Sequence, residues 1–241
     1  MKRHRFFIDP RGIQGRFAYI SDPSVCGQMM KVLRLRAGDE VIMLDGLGFE
    51  YAARLLKLSN KEVQAEILQR QMNKNESELK ITLYQALVKK DKFEWVLQKC
   101  TEVGVAHFVP LRAARSEKTG LNEDRAKKVL KEAAEQSERA IIPELSEIKT
   151  FESALRKGVT PDTPTMFLDA SGEPMGSAVT ARSRFTLNIF IGPEGGWDEV
   201  ELEAVRGLMR EGYPLEIVNL GPRVLRTETA GLVAAGIVLN R

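Results

Sequence analysis

Two short stretches near the end of the chain hold the residues best suited to chemistry. One is Ile191-Gly192-Pro193-Glu194-Gly195-Gly196-Trp197, and the other is Leu220-Gly221-Pro222-Arg223-Val224-Leu225-Arg226-Thr227-Glu228-Thr229-Ala230. The glycines at 192, 195, 196 and 221 permit positive φ and let a flat group approach the main chain closely. Glu194, Arg226 and Glu228 supply charge beside them. A phosphate cradle fits badly, because G-x-x-x-x-G-K-[ST] is absent and Glu194 places negative charge inside the loop. A dinucleotide fingerprint fails too: Gly46-Leu47-Gly48 is the only G-x-G, and Tyr51 stands where a third glycine belongs. The plain alternative is a pair of tight turns, with Arg226 and Glu228 forming a structural ion pair at a helix start.

The flanking elements explain how such loops would be held. Residues 185–191 and 215–220 are apolar runs that read as buried strands. Asp198 caps a following helix, with Glu201 as its capping-box partner. Thr227 or Thr229 starts a second helix that runs nearly to the C-terminus. Both loops therefore leave the same kind of strand end, and in open α/β sheets ligands bind at those ends. Further strands are expected at 79–88, 105–111 and 165–169. Between them, Asp91 with Glu94 caps a helix closed by Gly104, and Asn122 opens a charged helix to about Arg139. Strands alternating with helices indicate a mostly parallel α/β sheet.

The N-terminal stretch reads differently. Short strands are expected at 5–8, 17–20, 40–45, 49–58 and 61–68, with a turn at Gly46-Leu47-Gly48. One helix, capped by Ser21 or Asp22 with Pro23 in its first turn, interrupts them. This predicts a small β-barrel. Residues 73–78 (NKNESE) are polar and aperiodic and read as the linker, giving domains at 1–72 and 73–241.

The chain has 241 residues, 43% hydrophobic and 29% charged, values of an ordinary globular protein. The net charge of +3 is uneven: residues 1–72 carry twelve Lys and Arg against eight Asp and Glu, and the remainder twenty-four against twenty-five. A basic small domain is consistent with an acidic partner, or simply with a lysine-rich soluble surface. Arg3, His4 and Arg5 beside Phe6 and Phe7 combine cations with aromatics, as in nucleic-acid contacts, though the aromatics also suit a core. Arg34 and Arg36 are weaker members of the group. Cys26 and Cys100 lie far apart in helical patterns and read as buried free thiols in a reducing cytoplasm. The basic start precedes only three apolar residues and is no signal peptide, and residues 230–239 are too few to span a bilayer. His4 and His107 have no cysteine nearby, so no metal site is expected.

The pair GPEGGW and LGPRVLRTETA resembles the C-terminal signature of the SPOUT-class RNA methyltransferases, and more closely that of the ribosomal small subunit methyltransferase E family. Further matches are Arg3-His4-Arg5-Phe6-Phe7, Val32-Leu33-Arg34 with Gly38-Asp39, Asp45-Gly46, FEWVLQK at 93–99 and EAAEQS at 132–137. They span almost the whole chain. The resemblance implies a PUA-like RNA-binding barrel followed by a SPOUT α/β domain with a trefoil knot, acting as a cytoplasmic homodimer. It implies N3-methylation of a uridine in 16S rRNA of the small ribosomal subunit, with S-adenosyl-L-methionine as cofactor and neither metal nor membrane. The expected cofactor site comprises Leu168, Ile191, Gly192, Pro193, Glu194, Gly195, Gly196, Leu220, Gly221 and Leu225. Arg226 and Glu228 are the expected catalytic residues, since uracil N3 must lose a proton and its anion needs a cation. Arg3, Arg5, Arg34, Lys89 and Lys90 are the expected RNA contacts. Lys89, Lys90 and Glu102 stand as further candidates for the chemistry. The two competing readings are an RNA-binding module without catalysis and an enzyme for another adenine ligand.

Overall fold

The computed structural model describes residues 3–117, 120–175 and 185–239. The chain forms two compact units: Met1–Glu76 with Ala134–Ile142, and Ser77–Ala133 with Pro143–Arg241.

In the first unit, alternating apolar residues build six strands. They are β1 (Arg5–Phe7), β2 (Ile13–Gln14), β3 (Phe17–Ile20), β4 (Glu40–Leu44), β5 (Phe49–Leu58) and β6 (Val63–Met72). The sheet order is β1-β4-β5-β6-β3-β2. Among the described residues this ladder has two edges, so the expected barrel is not closed by strand pairing. Strand β2 escapes sequence reading because two residues carry no periodicity. Asp45 organises the β4–β5 hairpin: Oδ1 accepts from the backbone N–H of Leu47 and Phe49, and Oδ2 from the Tyr51 hydroxyl. Gly46 and Gly48 take φ of 74° and 102° in that turn. The Asp22 side chain accepts from Ser24 N–H to cap Pro23–Gly27, which runs into the π-helical turn Gln28–Val32. Phe6, Met29, Met43 and Leu55 fill the core.

Asn73, Asn75 and Glu76 are bound to this unit rather than hanging free, and Ser77 begins the second. Glu76 takes the guanidinium of the buried Arg139 at 2.9 Å and the backbone N–H of Ala140 and Ile141. Asn73 donates to Glu50 and to the Glu138 carbonyl. A polar, aperiodic stretch looks like a linker in sequence; here its polar groups find partners some sixty positions along the chain.

The second unit contains β7 (Lys80–Ala86), β8 (His107–Arg112), β9 (Glu144–Leu145), β10 (Lys149–Thr150), β11 (Thr165–Pro174), β12 (Thr186–Ile191) and β13 (Leu215–Asn219). Every pairing among them is parallel, in the order β10-β8-β7-β12-β11-β13 with β9 on β8. Tyr84 on β7 stacks on Phe190 of β12 at 4.1 Å between centroids.

The helices follow from capping and apolar spacing, with two corrections. The helix Lys90–Val103 buries Phe93, Val96, Leu97 and Cys100, and Gly104 ends it at φ 109°. Its N-cap is Lys89, without a side-chain cap. The expected Asp91–Glu94 capping box does not form, because Glu94 is drawn to Arg125 at 2.7 Å and Asp91 already lies inside the first turn. Asn122 Oδ1 accepts from Arg125 N–H at the start of the helix Glu123–Gln136. That helix stops three residues short of expectation, ahead of Glu138 in the left-handed region at φ 63°. The helix Glu199–Arg210 begins with the Asp198–Glu201 capping box, both bonds present. The last helix, Thr227–Leu239, is apolar nearly all round and packs on Lys90–Val103. Gly231 permits this burial, since a Cβ there would lie 2.6 Å from the Gln85 side-chain oxygen.

Candidate active site

Two parallel strands, β12 and β13, end on either side of β11 where its register shifts after Leu168, and there the site opens. Leu168 is in register with Ile191 of β12 on one side and with Val218 of β13 on the other. The loops after these strands enclose a cavity of about 970 Å³.

Trp197 fixes the first loop. Its indole N–H donates to the Leu168 carbonyl at 2.9 Å, and its ring packs on Phe167 and Phe151. Gly192 makes room for that ring, because a Cβ there would sit 3.0 Å from it. Gly196 turns the chain back at φ 69°, donating to the Pro193 carbonyl. Asn219 fixes the second loop from both ends. Its Nδ2 donates to the Gly172 carbonyl at 2.6 Å, and its Oδ1 accepts from Gly221 N–H at 2.9 Å. Gly221 takes φ 101°, which suits glycine there. The Arg226 carbonyl accepts from Ala230 N–H and so starts the final helix.

Of the expected cofactor residues, Leu168, Ile191, Gly192, Pro193, Glu194, Gly196, Leu220, Gly221 and Leu225 line the cavity, and Arg226 joins them. Gly195 does not. Its carbonyl accepts from Arg115 at 3.0 Å, and a Cβ there would meet the Arg115 side chain at 3.2 Å. Glu228 also stands outside the wall; its side chain is 13% exposed, with Oε1 3.2 Å from Lys92 Nζ. Lys92 lines the cavity and reaches Glu194 at 3.7 Å as well. Sequence reasoning passes over Lys92, since it lies about a hundred positions from the first loop and farther still from the second, and reads as one lysine of a charged helix face. Trp197 stands in the sequence only as part of a motif. A tryptophan directly after two glycines and before a helix cap was the available signal for an anchor.

The expected RNA residues fare unevenly. Arg5 is committed elsewhere: its guanidinium contacts Glu50 at 2.7 Å and Glu138 at 3.2 Å and is mostly buried. Arg3 is about half exposed and pairs with Glu40 at 2.6 Å. Arg34 is exposed in the left-handed region at φ 55°. Lys89 is exposed at its helix start, and the side chain of Lys90 lies outside the described residues. Glu102 pairs with Lys99 at 2.8 Å and is not in the cavity wall. Cys26 and Cys100 are buried free thiols. Burial pushes the Cys100 thiol up, which keeps it inert. Among the described residues, no cluster of His, Cys, Asp and Glu could hold a metal, and no helix is long and apolar enough to cross a membrane.

Comparisons with known proteins agree with this geometry. Residues 75–239 match the family model described as an RNA methyltransferase domain, and residues 29–68 match the RNA methyltransferase PUA domain. The chain is 33% identical to ribosomal RNA small subunit methyltransferase E of Bacillus subtilis over 224 residues, covering 87% of this chain and 85% of the relative. The enzyme of that name from Synechocystis is 35% identical over 211 residues, covering 86% of this chain and 67% of the relative. The crystal structure of ribosomal RNA small subunit methyltransferase E from Neisseria gonorrhoeae, bound to S-adenosyl methionine, superposes with a TM-score of 0.89 at 28% identity. It covers 99% of this chain and 98% of that one. With the match extending over both units and through both glycine loops, this chain belongs to the ribosomal RNA small subunit methyltransferase E family of RNA methyltransferases.

Proposed function

We propose that this protein methylates N3 of a uridine in 16S rRNA of the small ribosomal subunit, using S-adenosyl-L-methionine held in the cavity between the glycine loops. The observation that carries the reading is the cavity itself: apolar side chains and glycine-freed backbone meet where β12 and β13 end beside the register shift of β11. Leu168, Ile191, Leu220 and Leu225 would hold the flat, apolar part of such a cofactor. The turns at Gly192, Gly196 and Gly221 leave backbone groups near enough to recognise its polar edges. When bound, the cofactor supplies a methyl group made electrophilic by its sulfonium, so the chain's own task is to position and charge the nucleophile.

Arg226 is the residue for that task. It is exposed, lines the cavity and sits at the start of the last helix, where the dipole also favours an anion. A uracil that has lost its N3 proton to solvent carries negative charge on N3 and its two carbonyl oxygens, and the guanidinium stabilises that charge. Glu228, outside the wall and bound to Lys92, serves the site through that lysine. Arg3, Arg34 and Lys89 contact RNA phosphates, with Lys90 as a further candidate, and Arg5, held by Glu50 and Glu138, fixes the strand that follows Arg3.

In this reading residues 1–72 form the PUA-like RNA-binding part. Residues 73–241 form the catalytic part, with a trefoil knot and a dimer interface. The protein works as a homodimer in the cytoplasm. Calorimetric titration with S-adenosyl-L-methionine in the absence of RNA tests the cavity assignment. Saturable binding that Gly192→Val abolishes supports it, and unchanged binding in that variant places the site elsewhere.

A further inference from the structure

Lys92 joins three parts of the second unit that are remote in sequence. It occupies the third position of the helix Lys90–Val103, whose next residues Phe93, Val96 and Leu97 are fully buried, so its backbone is fixed. Its ammonium stands 3.2 Å from Glu228 at the start of the last helix and 3.7 Å from Glu194 in the first glycine loop. Glu228 Oε2 is buried and has no donor among the described residues. The Glu228 charge is therefore balanced through Oε1, by Lys92. Exposed ion pairs contribute little, but removing one partner of a buried carboxylate leaves a charge that neither water nor protein compensates.

We infer that Lys92 is a positioning residue for the proposed transfer: its ammonium ties Glu194 to Glu228 and so fixes the spacing of the two glycine loops. The inference rests on reading the cavity as the cofactor site. Without the ammonium, two carboxylates would face each other across the cavity edge. Like charges left without the cation between them repel and separate. Separation moves Glu194 with the first loop, and the wall formed by Ile191, Gly192 and Pro193 moves with it. Lys92 and Glu228 act through the loops and need not touch the transferred group.

A double-mutant cycle on the full-length protein tests this, with S-adenosyl-L-methionine titrated calorimetrically and unfolding midpoints measured alongside. Lys92→Met is expected to weaken cofactor binding by about ten-fold or more. In the Glu228→Gln background the same change is expected to cost only about two-fold, because the charge it would strand is gone. Lys92→Arg keeps the cation and restores much of the affinity. Should Lys92→Met unfold at the titration temperature, Lys92→Gln carries the same cycle. Equal losses in both backgrounds, or no loss at all, would overturn the inference. A wild-type protein that fails to bind the cofactor sinks the reading of the site itself; tight wild-type binding with an additive cycle sinks the role of Lys92 alone.

Discussion

The indole N–H of Trp197 donates to the carbonyl oxygen of Leu168 at 2.9 Å, pinning the first glycine loop to the neighbouring strand β11. Gly192 lies against the same ring, where a Cβ would be 3.0 Å away. Trp197→Phe keeps an aromatic on Phe167 and loses this buried bond, at a cost of about 1–3 kcal/mol for the stranded carbonyl. The expected result is a lower unfolding midpoint together with weaker cofactor binding. Gly192→Ala should weaken binding more than Gly195→Ala, because Gly195 faces Arg115 rather than the cavity. Calorimetry on the three variants checks that order.

Arg5 and Glu50 predict acid sensitivity of the first unit. Burial pushes the Glu50 carboxyl up, but hydrogen bonds from Arg5, Gln71 and Asn73, with the charge of Arg5, bring it below its ordinary value of 4.5. A carboxyl lowered by folding contributes stability that is complete above its unfolded pKa and lost as pH falls through the folded one. Thermal unfolding should therefore show a midpoint that falls as pH drops below the ordinary carboxyl value of 4.5. Glu50→Gln should lower the midpoint at neutral pH and flatten that fall. An unchanged acid slope in the variant would assign the sensitivity to other groups.

Arg34 carries a separate prediction. A non-glycine residue at φ 55° is held in a conformation costing about 1–2 kcal/mol, partly offset in any glycine replacement by unfolded-chain entropy. Strain at an exposed cation is a sign of use rather than of stability. Arg34→Gly is expected to raise the unfolding midpoint slightly while weakening RNA binding. The slope of log affinity against log salt should flatten by about one. Arg5→Ala should do the reverse, losing stability with little change in slope.

Much of the frame was legible in sequence because its signals are local. Asp198 and Glu201 are three positions apart, and their capping box forms as read. Strand β5 occupies the residues its alternation marks. The glycine loops announce themselves by composition, and nine of ten expected cofactor residues line one cavity. What could not be read depends on distant partners. Glu94 matches a capping pattern yet binds Arg125, thirty-one positions away. Arg5 looks like an RNA contact until Glu50 and Glu138 fold around it. Lys92 gains its place only when two remote carboxylates meet it.

Arg226 should serve the transfer step more than binding. In single-turnover methylation at saturating cofactor and RNA, Arg226→Ala is expected to lower the rate by about a hundred-fold, with both dissociation constants nearly unchanged. Arg226→Lys should recover only part, since it keeps the charge without the planar fork. Higher pH should rescue the alanine variant if the arginine eases loss of the N3 proton. A normal rate in Arg226→Ala would make the residue structural.

The most direct measurement is methyl transfer itself. Purified protein is incubated with radiolabelled S-adenosyl-L-methionine and small ribosomal subunits that lack the modification, and the labelled nucleoside is then isolated from the 16S rRNA. The account predicts stoichiometric label in a single N3-methyluridine, abolished by Gly192→Val. Label on ribose, on another base or on no RNA at all, from a protein that binds the cofactor, would contradict it.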